Sequence, residues 1–216
     1  ARDSSLALLD RIYSGDATPP AIANVLLDHI RRKTGVWDPY ATVKYRELRQ
    51  AVSYVKRSPG GRPATLSGHI RLSALGNSTD FFTGGSFDAG LSMLKGDMRK
   101  VEEILLNGGD EILMLGDNMG DFVFDAPLAR FLEEQGKKVF YAVKGGPVQN
   151  DVSMEDVARR DCENMYSSIV STGCARVGLA PDAIAGVIER LWKGGGPVIA
   201  KGMGNFETIS EFDDER

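Results

Sequence analysis

The apolar run Ile112-Leu113-Met114-Leu115 ends at once in Gly116-Asp117-Asn118-Met119-Gly120-Asp121. Polar and apolar residues do not alternate within the run, so a strand here is buried on both faces, as in parallel sheets covered by helices. The flanking glycines allow a sharp turn and the close approach of a ligand. Ligands of parallel α/β sheets bind outside the carboxyl ends of the strands. An Asp-Asn pair delivered to that edge is a candidate site.

From residue 110 onward, short apolar segments alternate with helical patterns. Strands are expected at Glu111–Leu115, Lys138–Val143, 167–171 and Val198–Ala200, with helices over 124–135 and 181–192. Ser153 and Asp156 have the spacing of a capping box at the start of one more helix. This rhythm predicts an α/β fold, a three-layer α/β/α sandwich around a mostly parallel, Rossmann-like sheet. The earlier part of the chain reads as helices: a short apolar face from Leu6 to Ile12, a second helix opened by Pro19-Pro20, and further helices over 42–56, 66–75 and 91–106. Asp38-Pro39-Tyr40 interrupts the series, because a residue before proline is pushed out of helix. Two units are expected, a helical N-terminal lobe over 1–75 and an α/β domain over 76–216 that carries the site.

Bulk properties narrow the function classes. A net charge of −4 and a pI near 5.3 argue against nucleic acid or an anionic membrane as the main partner, since both call for a basic face. No apolar run approaches the length of a bilayer span, and none resembles a signal-peptide core, so a cytoplasmic protein is expected. Cys162 and Cys174 match no zinc or redox spacing and read as reduced, mostly buried thiols. His29 and His69 fall on helical stretches far from the loops of interest and read as packed or surface residues.

Three strand exits carry polar residues suited to chemistry. The first bears Asp117 and Asn118. The second runs through Lys144-Gly145-Gly146-Pro147 to Asn150-Asp151, and the last is Lys201-Gly202-Met203-Gly204-Asn205. Parallel strands open these loops onto one edge of the sheet. Asp117, Asn118 and Asp151 then form a hard, oxygen-only donor set for one divalent metal ion, Mg or Mn, with Co or Ni also compatible. Lys201 and the amides of its glycine-rich turn supply positive potential for an anion, a phosphate above all. Each piece alone has a plainer reading, since Asp and Asn after strands are common turn formers and helix caps. Their convergence on one edge favours a metal–phosphate site.

The stretch Asp117-Asn118-Met119-Gly120-Asp121-Phe122-Val123-Phe124-Asp125 resembles the Asp-Asn-x-Gly-Glu-x-x-Phe-Asp signature of the DUF89 family of metal-dependent damage-control phosphatases. Four further segments agree in order: Asp38-Pro39-Tyr40, Gly76-Asn77-Ser78-Thr79-Asp80, Val143-Lys144 through Asn150-Asp151, and Lys201-Gly202-Met203-Gly204-Asn205-Phe206-Glu207. The match spans roughly residues 35–210 and is closest to the compact archaeal and bacterial-type branch. The resemblance implies hydrolysis of phosphate monoesters of small metabolites, sugar phosphates or phosphorylated cofactor precursors. It assigns the metal to Asp117, Asn118 and Asp151, and the phosphate to Lys201 with Gly202, Gly204 and Asn205. Asn77 and Asp80 fall at the edge of the site. Asp121 stands where the family has Glu, so any catalytic or outer-sphere role there works with one methylene less reach. The family pattern also carries a further strand beyond the last one read here.

Three other functions compete with this one. A haloacid-dehalogenase-type phosphatase would need an Asp-x-Asp nucleophile motif after the first strand, and none is present. A methyltransferase that uses S-adenosylmethionine lacks the Gly-x-Gly spacing in its first loop. A non-catalytic α/β protein binding a phosphorylated metabolite is the third.

Overall fold

The structure, a computed structural model, describes residues 1–13, 17–57, 63–77, 96–179, 184 and 186–210. Four parallel strands form one sheet in the order β3-β2-β1-β4, with β1 at Glu111–Leu115, β2 at Lys138–Val143, β3 at Ile169–Ser171 and β4 at Val198–Ala200. The order places β1 and β2 at the centre, and these are the two strands with the most continuous apolar sequence. Among the described residues nine helices accompany the sheet: α1 Arg2–Ile12, α2 Pro19–Thr34, α3 Ala41–Arg57, α4 Leu66–Asn77, α5 Met98–Asn107, α6 Met119–Glu134, α7 Met154–Arg159, α8 Gly186–Lys193 and α9 Met203–Ile209.

Side-chain alternation along the strands sorts the core into two layers. Ile112 and Met114 of β1, with Val139, Tyr141 and Val143 of β2, pack against Phe122, Ala126 and Ala129 of α6. Leu113, Leu115 and Ala142 turn to the other face and meet Ile188 and Leu191 of α8. The expected three-layer arrangement is present. Outside α6, Ala51 of α3 and Leu72 and Leu75 of α4 close over Val123 and Phe124. Helix α6 is therefore buried on several sides, and eleven of its residues are buried, which suits its sparse polar content.

Several element boundaries differ from the sequence expectation, and α4 runs on through Gly76 and Asn77, two residues beyond 66–75. Helix α6 begins at Met119, five positions before residue 124, because Asn118 Oδ1 accepts from the Asp121 amide at 2.9 Å and caps the helix. Gly120 is thus part of the first helical turn. Helix α5 begins at Met98, since Gly96 adopts φ 130° and the Asp97 carboxylate caps Arg99 and Lys100; residues 91–95 lie outside the described residues. Strand β3 is two residues shorter at its start than 167–171. Helix α8 is described from Gly186, and residues 181–183 and 185 lie outside the described residues. The capping box of Ser153 and Asp156 is formed. Among the described residues no helix is long and apolar enough to cross a membrane.

Candidate functional site

The parallel sheet brings the exits of β1, β2 and β4 to one edge, and backbone hydrogen bonds stitch them together. Val152 N donates to Asp117 O at 2.8 Å and Met119 N to Asn150 O at 3.1 Å, so Asp117-Asn118 and Asn150-Asp151 run side by side. Lys201 N donates to Leu115 O at 3.1 Å. Asn205 Nδ2 then bridges the Gly116 and Lys201 carbonyls, at 3.1 and 2.7 Å. The first and last exits are therefore pinned by one amide. Gly202, at φ 82°, lies so close to the Asp117 carboxylate that a Cβ there would overlap it. Gly204 is in comparable contact with Val177 and Gly178 and lets the start of α9 pack down.

Asp117, Asn118, Asp121, Asp151 and Lys201 meet within this cluster, and Asn77 joins them from the end of α4. Asn77 Nδ2 donates to Asp117 Oδ2 at 3.0 Å. Asp80 lies outside the described residues. Asn118 Nδ2 donates to Asp121 Oδ2 at 3.3 Å while its oxygen caps α6, so Asp121 and Asn118 orient each other. An amide oxygen has two lone pairs, which leaves Asn118 one for a further partner. Asp151 Oδ2 stands 3.5 Å from Lys144 Nζ, which also donates to Gly178 O at 2.8 Å.

Lys201 is more tightly engaged than its place in a glycine-rich turn suggests. Its ammonium donates to Asp125 Oδ1 at 2.9 Å, Asp121 Oδ1 at 3.0 Å and Ser73 O at 3.0 Å. Three donors meet three acceptors, so the ammonium is saturated here. Burial opposes its charge, but Asp121 and Asp125 overcome that and raise its pKa above the ordinary lysine value. Sequence alone assigned no role to Asp125 and Ser73, which hold this cation, to Tyr141, which holds Asp125, or to Lys144 as the partner of Asp151. Asp125 could have been singled out, because it follows Asp121 by one helical turn on α6.

Charge balance bears on what the site can hold. Among the described residues, four carboxylates (Asp117, Asp121, Asp125 and Asp151) face two ammonium groups, Lys144 and Lys201. Burial, then Asp151, then Asp121 raise the Asp117 pKa well above the usual carboxylate range, against the pull of Lys144 and Lys201. A carboxylate held among like charges at a partly exposed edge is suited to a bound cation. Asp117, Asn118 and Asp151 offer it oxygen donors only, which fits a hard divalent ion. Among the described residues no group of three or more His, Cys, Asp or Glu could hold a metal ion, so the candidate set rests on two carboxylates and an amide. His69 packs on Phe131 and His29 contacts Ser4, both on helices outside this cluster.

Fold and site together define an α/β protein with an oxygen-donor centre at the carboxyl edge of a parallel sheet. The chain belongs to the family of the Damage-control phosphatase ARMT1-like domain, whose match covers residues 2–216. It is similar to a damage-control phosphatase of Pyrococcus horikoshii, 27% identical over 221 residues that cover 97% of this chain and 76% of the relative. A damage-control phosphatase of Archaeoglobus fulgidus is 25% identical over 222 residues, 97% of this chain and 77% of that protein. The crystal structure of a DUF89 family protein from Pyrococcus horikoshii superposes with a TM-score of 0.81 at 28% identity, covering 99% of this chain and 78% of that one. The family that the motifs resemble is thus the family to which the chain belongs.

Proposed function

We propose that this chain is a phosphatase that hydrolyses phosphate monoesters of small metabolites with the help of one divalent metal ion. The observation that carries the reading is the meeting of Asp117, Asn118 and Asp151 at one edge with an excess of negative charge. Membership of a phosphatase family and two relatives named damage-control phosphatases support it.

Asp117, Asn118 and Asp151 would hold the ion, Mn, Ni, Co or Mg. Such an ion, when bound, polarises a phosphoryl oxygen and lowers the pKa of a bound water. The protein's own residues prepare that position. Asn77 orients Asp117, Asp121 orients Asn118, and Lys144 restrains Asp151. Lys201 supplies fixed positive potential toward the transferring phosphoryl group in a setting largely removed from water. Gly202 and Gly204 keep the start of α9 close to Asp117, and Asn205 fixes the turn that carries them.

The test is turnover of p-nitrophenyl phosphate with added Mn, Co, Ni or Mg, against a chelator control. Activity that the chelator removes and a divalent ion restores is the expected result. Asp117→Ala and Asp151→Ala should each abolish it while leaving the fold near intact. Retained turnover in both variants would overturn the assignment. A panel of sugar phosphates and phosphorylated cofactor precursors then resolves the substrate.

A further inference from the structure

Asp125 is fully buried, and both of its oxygens are engaged. Oδ1 accepts from Lys201 Nζ at 2.9 Å and from Ser73 Oγ at 2.6 Å, while Oδ2 accepts from Tyr141 OH at 2.9 Å. Ser73 serves both members of the pair, since its carbonyl accepts from Lys201. The contacts come from α4, β2 and the exit of β4, so three parts of the fold converge on a carboxylate carried by α6. Tyr141 is itself held in place. Its ring stacks on Tyr166, with centroids 4.2 Å apart, and lies where a Cβ on Gly116 would be.

Asp121 and Asp125 do different things for Lys201. Asp121 is shared with Asn118, whereas the remaining partners of Asp125 are two neutral hydroxyls. A buried ion pair is a weak source of net stability, and apolar replacements are often as stable. Orientation of a cation at the site gives the pair a purpose that stability does not.

We propose that Asp125, clamped by Ser73 and Tyr141, is a positioning residue that fixes the Lys201 ammonium beside the Asp117–Asn118–Asp151 group for the phosphatase reaction. The inference rests on the phosphatase reading above. Asp125 acts through Lys201 and touches neither the proposed metal donors nor the ester.

The full chain is tested as Asp125→Asn, Tyr141→Phe, Lys201→Met and Asp125→Asn with Lys201→Met. The readouts are Mn-dependent p-nitrophenyl phosphate turnover and the rise in Tm caused by inorganic phosphate. Tyr141→Phe keeps the packed ring and removes the hydroxyl donor. Misplacement of a catalytic group by a distant change costs up to about 100-fold in rate. Asp125→Asn should therefore lower kcat/KM by about 10- to 100-fold and Tyr141→Phe by about 3- to 10-fold. Both should shrink the phosphate-induced Tm rise. In the Lys201→Met background, Asp125→Asn should change turnover by less than about twofold, because the residue through which it acts is gone. An equal loss on both backgrounds would overturn the inference, as would wild-type turnover in Tyr141→Phe. Should the Lys201 or Asp125 variants fail to fold, Tyr141→Phe decides alone. An inactive wild type that also ignores phosphate defeats the phosphatase reading itself. An active wild type with unaffected variants defeats only the role of Asp125.

Discussion

Asn77 Nδ2 lies 3.0 Å from Asp117 Oδ2, although forty positions separate the two residues in the chain. The contact joins the last residue of α4 to the exit of β1. Just before it, Gly76 sits so close to Asp121 that a Cβ would overlap the carboxylate. The end of α4 thus reaches Asp117 through one amide, with a bare backbone position against Asp121, and the amide sets how Asp117 faces the site.

Removal of that amide should weaken the site without unfolding the protein. Partners that orient metal-binding groups typically contribute about 10- to 100-fold in affinity or activity. Asn77→Ala is expected to lower Mn affinity by about that factor, measured by calorimetric titration of the chelator-treated protein. Affinity equal to wild type would show that Asp117 needs no such guide.

Asp117 itself should be a burden on the metal-free fold. Its pKa is raised by burial, Asp151 and Asp121, in that order, so the folded chain holds this proton more tightly than the unfolded chain. The stabilising contribution of a raised pKa is complete below the unfolded value and is lost as pH rises through the folded value. In the presence of chelator, Asp117→Asn should therefore melt above wild type at neutral pH. That gap should close as pH falls toward about 4, the ordinary range of an aspartate. Thermal melts of both proteins across that range check the sign, and added Mn should restore the advantage of wild type.

Much of the fold was readable because burial dictates it locally. Ile112–Leu115 has no polar position, so a strand covered on both faces follows, and its bounds agree with β1 at Glu111–Leu115. The expected bounds of β2 and β4 agree as well, although β4 lies at the sheet edge and is only partly buried. The start of α6 was less readable, since Gly116 and Gly120 suggest a long loop while the cap formed by Asn118 side chain decides otherwise. Asp117, Asn118, Asp151 and Lys201 could be grouped from strand exits alone. The surroundings of Lys201 could not, because Ser73 and Tyr141 reach Asp125 across 52 and 16 positions, and no periodicity in the chain records contacts of that kind. The saturation of the Lys201 ammonium became visible only from those distances.

Gly202 should tolerate no side chain. It combines φ 82° with direct contact to the Asp117 carboxylate. Gly202→Ala should cost about 1–3 kcal/mol from backbone strain and more from overlap, with activity lost. Gly35→Ala is the control, because Gly35 has φ 68° but open space around its Cβ position. It should cost about 1–2 kcal/mol and leave turnover intact. Chemical denaturation with parallel assays separates the two effects.

Lys44 anchors α3 to the first turn of α7. Its ammonium is fully buried and lies 2.8 Å from Asp156 and 3.4 Å from Asp38. Among the described residues, removing Lys44 leaves Asp156 only Arg160 as a cationic partner, 3.6 Å away, and breaking a buried pair costs about 3–5 kcal/mol. Lys44→Met should show that loss in a urea titration. A loss under about 1 kcal/mol would mean that solvent screens the pair.

Oxygens of Asp117, Asn118 and Asp151 should share one cation. Anomalous diffraction from crystals soaked in Mn tests it most directly. A single strong peak is expected at about 2.0–2.6 Å from oxygens of all three side chains, the range for hard divalent ions. A peak elsewhere, or none at that position in protein whose turnover depends on Mn, would contradict it.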